Sequence, residues 1–191
     1  MAHLPENSVH PLSRREWRAW LEQNHARPDG VWLIGYKTAT GKPRVEYGEA
    51  VEEALCFGWI DSRAGTVDEE RSMLWMSPRK PGAGWARTNK ERIERLMAEG
   101  RMAPPGLAKI GAAKADGSWT LLDSVEAMEI PPDLEQALAG CPDAARHFHA
   151  FPPSAKKRIL QWIALAKKPE TRAARVAQSA RLASENVRAN P

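Results

Sequence analysis

A chain of 191 residues that is 42% hydrophobic and 27% charged has material for one domain, or one domain with a smaller appendage. That balance excludes a disordered or collagen-like chain, and no apolar run approaches the roughly 20 residues a membrane-spanning helix needs. Cys56 and Cys141 are too few for a disulfide framework, and the opening MAHLPENSVHPLS lacks a basic start followed by an apolar stretch; a cytoplasmic location is therefore expected.

Ser13 followed by Glu16 has the form of a capping box and opens a helix carrying Trp17, Trp20 and Leu21 on one face. Pro28-Asp29-Gly30 turns the chain into a strand from Val31 to Lys37, in which Trp32, Ile34 and Tyr36 share one face and Val31, Leu33 and Lys37 the other. Gly41-Lys42-Pro43 is a turn, and a short strand is expected over 44–47. A helix follows over 48–57, with Val51, Ala54 and Leu55 as its buried stripe and Glu49, Glu52 and Glu53 facing out. Gly58 is placed to close it in the left-handed conformation. Two strand-like runs, 59–67 and 71–76, form a hairpin with Trp59, Asp61 and Arg63 on one face.

The segment 77–85 (SPRKPGAGW) carries two prolines and two glycines and is irregular. Thr88 with Glu91 makes a second capping box, opening a helix that ends at Gly100. An Ala/Lys-rich helix runs from the prolines at 104 and 105 to about Ala115, and a last short strand is expected over 119–122. Helices then occupy 133–139, 142–151, 153–166 and 169 onward, three of the starts marked by Pro142, Pro153 and Pro169. The expected fold class is α+β: a small antiparallel sheet with helices over residues 1–122, followed by an all-helical module over 123–191.

Charge is unevenly placed. From Ser154 onward nine basic residues face two acidic ones, so this stretch carries +7 of a formal net +4, leaving −3 for residues 1–153. A cationic segment suits nucleic acid, an anionic lipid or an acidic partner, or else forms a solvated face or docks on the chain's own acidic body.

The run Glu49 to Ser62 (EAVEEALCFGWIDS), then Ser77-Pro-Arg-Lys80, then Trp85 with Asn89, resembles the YdeI/OmpD-associated family, also labelled bacteriocin-protection. Residues 131–187 resemble its helical C-terminal module, above all Trp162 and the run 166–172 (AKKPETR). The resemblance implies resistance to bacteriocins or cationic antimicrobial peptides, a stress-response role, and association with an outer-membrane porin. It carries over no reaction and no catalytic residues.

The residues that most suggest a site are Trp59, Asp61, Arg63, Asp68, Arg71 and Trp75 of the hairpin, with Arg79 and Lys80 before a helix start near Thr88. Helix N-termini attract anions, and arginine offers a planar fork for phosphate or carboxylate. A small anionic or nucleotide-like ligand is expected on Arg79, Lys80, Trp85 and Asn89, with Asp61 orienting Arg79 or a ligand hydroxyl. The alternative is an internal ion-pair network with the tryptophans as core. There is no Walker loop, Gly-x-Ser-x-Gly elbow, His-Glu-x-x-His or Cys-x-x-Cys; His147 and His149 fall on different sides of one helix, and neither a cofactor nor a metal is expected. Three functions follow in order: a non-enzymatic resistance protein binding a small anionic ligand or a protein partner; a nucleic-acid binder using the basic C-terminal helices; and an enzyme on a small anionic substrate with Asp61 as acid or base.

Overall fold

The computed structural model describes residues 4–189. They fall into two units, each with its own core. The first takes in the described residues up to Ala83 together with Thr88–Asp116; the second takes in Gly84–Arg87 and the described residues from Gly117 onward.

The first unit is built on a four-stranded sheet in the order β1-β2-β4-β3 (β1 Ser8–Val9, β2 Val31–Tyr36, β3 Trp59–Thr66, β4 Arg71–Pro78). β2, β4 and β3 run antiparallel, as the alternating sequence implies, while the two-residue β1 adds a parallel edge. Two helices of this unit are α1 (Arg14–Asn24) and α2 (Tyr47–Cys56). The core joins Trp17 and Leu21 of α1 and Ala50, Ala54 and Cys56 of α2 to Val31, Leu33, Trp59 and Met76 of the sheet. Two of the buried indoles are anchored by their N–H groups: Trp17 Nε1 donates to the Ala50 carbonyl at 3.1 Å and Trp59 Nε1 to the His25 carbonyl at 2.9 Å. α1 starts at Ser13, whose hydroxyl accepts from the Glu16 amide; the Glu16 carboxylate takes the Leu12 amide rather than closing the box on Ser13.

Gly58 follows α2 at φ +75°, the left-handed geometry expected of it. Helices α3 (Arg87–Ala98) and α4 (Pro104–Ala115) come next. α4 approaches the end of α2 so closely that a Cβ on Gly106 would lie 2.2 Å from the Cys56 carbonyl oxygen. Three local expectations are corrected. Residues 44–46 form no strand, because Glu46 caps α2, which begins one residue early at Tyr47. Residues 119–122 turn into the short helix α5 (Asp123–Glu126) rather than extending. Thr88 lies inside the first turn of α3, not before it.

The hairpin holds a larger correction. Asp61 pairs with Met76 and Ala64 with Leu74, so Ser62 and Arg63 together oppose Trp75. This β-bulge adds one residue to β3 and breaks the alternation of faces. Arg63 consequently does not share a face with Trp59 and Asp61. Its guanidinium lies over Trp32 and Trp75, 5.6 and 5.7 Å from their ring centres, on the side of the sheet away from the core. Asp68 and Arg71 pair with each other in the turn between the strands.

The second unit contains α5 and four longer helices, α6 (Pro132–Ala139), α7 (Pro142–Ala150), α8 (Pro153–Ala164) and α9 (Pro169–Ser184). Each of those four has proline in its first turn, where the missing N–H costs no helical bond. Leu134, Leu138, Phe148, Ile159, Ile163, Val176 and Ala183 supply its core. No helix among the described residues is long and apolar enough to cross a membrane.

Candidate functional site

On the face of the sheet that packs against α2, the side chains become small toward one end. β2 runs from Leu33 to Gly35, β4 from Leu74 back to Ser72, and the bulge brings Ala64 of β3 opposite Leu74. Gly35 is paired with Ser72, and Ser72 in turn with Thr66, so the level beyond the two leucines carries only small residues. A cleft of about 410 Å³ opens there, walled by Arg44, Val45, Glu46, Tyr47 and Ala50 on the α2 side. A Cβ added at Gly35 would meet nothing within 4 Å. The hollow is therefore a consequence of side-chain size in three strands, and its volume lies in the range of small-molecule sites.

The cleft is apolar at its floor, through Leu33 and Leu74, and charged at its rim, through Lys37, Arg44 and Glu46. Arg44 and Glu46 form a bidentate pair through Nε and Nη2, both at 2.9 Å, leaving Nη1 out of that pairing. Lys37 Nζ donates to the Asp68 carbonyl at 2.7 Å. Glu46 is also the N-cap of α2: its carboxylate accepts the Glu49 amide while the Glu49 carboxylate accepts the Glu46 amide. Among the lining residues, two cations thus face one carboxylate.

Tyr47 links this cleft to two residues singled out in the sequence. Its hydroxyl donates to the Asp61 carboxylate at 2.9 Å, and burial together with that bond pushes the hydroxyl up, so it stays a donor near neutral pH. Arg79 is only 6% exposed; burial pulls its guanidinium down to about 10, with the charge of Asp61 acting the other way. Asp61 therefore accepts from Tyr47 and favours the charged form of Arg79. Lys80, by contrast, is exposed. The Asn89 side-chain oxygen accepts from Arg92 of its own helix at 3.1 Å. Trp85 falls in the second unit, 3% exposed, its ring 5.1 Å from that of Trp119. The structure thus joins Asp61 to Tyr47 by a hydrogen bond, leaves Arg79 buried within the influence of the Asp61 charge, and places the Trp85 indole within packing. Tyr47, Arg44 and Gly35 were not singled out in the sequence; a glycine inside a strand otherwise rich in β-branched and aromatic residues is the signal that marks the hollow.

A second constellation was misread from the sequence. Glu53 does not face out: it is fully buried. Its carboxylate accepts from Arg14 Nε at 2.6 Å, from Arg18 Nη1 at 2.8 Å and from Arg101. The neighbouring Glu52 pairs with Arg14 at 2.7 Å and with Arg95. Burial works against the ionised Glu52, yet the hydrogen bonds from Arg14 and Arg95 outweigh it and hold its carboxyl below the ordinary value. Glu53 lies at the spacing Ala50, Glu53, Ala54, Phe57, which is the core stripe itself, so α2 turns a carboxylate inward and α1 supplies two of its three arginines. Cys56 stands beside them, its thiol pushed up by burial and then by Glu53. Both carboxylates of this network are paired with arginines and Glu53 is sealed from solvent, which marks it as structural.

In the second unit, several cations of the basic C-terminal stretch are already engaged. Lys157 pairs with Glu126, Arg172 with Asp133 at 2.7 Å and Arg181 with Glu185 at 3.0 Å, while Arg175 lies over the ring of Trp162 at 5.0 Å. His147 Nδ1 is within 2.9 Å of the Ala183 carbonyl. Among the described residues, no group of three or more His, Cys, Asp or Glu side chains is arranged to hold a metal ion.

Comparison with known proteins divides the chain much as the structure does. Residues 9–109, more than half of the sequence, match a family described as a domain of unknown function (DUF8412). Residues 127–186 match the family described as "Bacteriocin-protection, YdeI or OmpD-Associated". No curated protein and no solved structure matches the sequence. The chain therefore belongs to the DUF8412 family through its sheet-bearing unit and to the YdeI/OmpD-associated, bacteriocin-protection family through its helical module.

Proposed function

We propose that this chain is a cytoplasmic, non-enzymatic protein of the stress response that protects cells against bacteriocins or cationic antimicrobial peptides, and that it does so by holding a small anionic ligand in the cleft beneath α2. The observation that carries the protective role is the match of residues 127–186 to the bacteriocin-protection family. The ligand reading is supported by the open hollow at Gly35 with Lys37 and Arg44 on its rim. In this reading Asp61 and Arg79 act by positioning Tyr47 at the cleft wall rather than by touching the ligand, and Lys80, Trp85 and Asn89 lie outside the contact set.

A nucleic-acid role for the basic helices has weaker support, because Lys157, Arg172 and Arg181 answer carboxylates. Phosphate contacts need cations available for counterion release. The test of the protective role is survival of a deletion strain under a pore-forming bacteriocin and under polymyxin. Deletion is expected to sensitise the cells to at least one of the two, and the plasmid-borne gene to restore survival. Equal survival of parent and deletion strain under both agents overturns the reading.

A further inference from the structure

The cleft beneath α2 has features that narrow the kind of anion it can take. A phosphate or nucleotide site is typically built from several unengaged donors, often the first amides of a helix. The N-terminus of α2 does not offer them freely here, because the Glu46 carboxylate already takes the Glu49 amide. What the cleft offers instead is the Nη1 edge of Arg44, which takes no part in the Glu46 pair, and the ammonium of Lys37, one of whose donors goes to the Asp68 carbonyl, at the rim of a floor made by Leu33, Leu74 and the bare backbone of Gly35. Two donors suit one carboxylate. The apolar floor suits a hydrocarbon or aromatic body, whose burial takes apolar surface out of water.

The hollow also persists without a side chain to fill it. Gly35 is the penultimate residue of β2, where glycine is less favourable than a larger residue, and the space above it is open. Its φ is not in the left-handed region, so no backbone strain requires glycine at this position. A β-branched or aliphatic residue fits the strand, and its absence leaves room for something else.

We propose that this cleft binds a small amphipathic monocarboxylate, its carboxylate on Arg44 and Lys37 and its apolar body over Leu33, Leu74 and Gly35. This rests on the anionic-ligand reading given above. The experiment is calorimetric titration of the full chain with three probes: sodium octanoate, 1-octanol and inorganic phosphate. Wild type, Gly35→Leu and Arg44→Gln are compared, each with its thermal midpoint measured. Octanoate is expected to saturate at one per chain, to bind about tenfold more tightly than octanol, and to weaken about tenfold in Arg44→Gln. Gly35→Leu is expected to abolish octanoate binding while melting no lower than wild type. Saturable phosphate binding that Gly35→Leu removes, with no octanoate binding, keeps the anionic-ligand reading and overturns the amphipathic class. Octanoate binding that is unchanged in both variants, or no binding of octanoate and phosphate at all, overturns both.

Discussion

The inward carboxylate of α2 makes the sharpest prediction about stability. Glu53→Gln keeps the side chain's length and removes its charge. Three guanidinium groups, from Arg14, Arg18 and Arg101, then lose the carboxylate they share. Breaking a buried ion pair from one side typically costs about 3–5 kcal/mol. Here the carboxylate is 0% exposed but its three partners are 26, 31 and 30% exposed, so water takes up part of the released charge. The expected loss is therefore somewhat below that range, about 2–3 kcal/mol, which is a large share of the 5–15 kcal/mol typical of a domain. Urea denaturation followed by tryptophan fluorescence reads it as a lowered midpoint at unchanged slope. An exposed control, Glu16→Gln, is expected to cost well under the buried change. A Glu53→Gln loss below about 1 kcal/mol would refute the reasoning, since it would mean that solvent rather than Glu53 balances the arginines.

Two further predictions come from packing and from pH. Gly106→Ala places a methyl 2.2 Å from the Cys56 carbonyl oxygen, a backbone atom with little room to move, so a destabilisation of about 2 kcal/mol or more is expected in the same urea assay; a neutral result would mean that α4 can slide away from α2. In the helical module, the Glu126 carboxyl is held below its ordinary 4.5 by Lys157 and the Asp133 carboxyl below its ordinary 3.8 by Arg172. Depressed carboxyls contribute stability above their unfolded values and lose it as pH falls toward the folded ones, so the acid limb of the thermal midpoint begins near pH 4.5 and continues downward. The double variant Lys157→Gln, Arg172→Gln is expected to flatten that limb, and an identical limb in wild type and variant would contradict the assignment.

Much of this architecture was legible from punctuation. Prolines at helix starts, Gly58 after α2 and the Gly/Pro-rich segment before α3 each impose a local geometry that holds in any context. Features that depend on a partner were not. The bulge at Ser62–Arg63 exists only relative to Trp75 on the neighbouring strand, and one unpaired residue was enough to move Arg63 to the other face. Glu53 stood within the Ala50–Phe57 stripe, but its arginines come from positions 14, 18 and 101, far apart in sequence, so the charge itself argued for solvent.

The site shows the same division. Asp61 and Arg79 were visible as charge beside a ribbon; the structure gives Asp61 a Tyr47 hydroxyl and buries Arg79. Trp85 looked available because its segment is irregular, yet an irregular backbone says nothing about burial, and its ring is packed near Trp119. The cleft was hidden because it is made by what Gly35, Ala64 and Ser72 lack, and a void has no residue of its own to read.

Whether that void is where the protein works is tested most directly by producing Gly35→Leu in the deletion strain at wild-type level and measuring survival under the bacteriocin that distinguishes deletion from parent. With the chain folded and its thermal midpoint undiminished, protection is expected to be lost, because the leucine occupies the ligand's place. Full protection from a stably folded chain with the hollow filled would contradict the account.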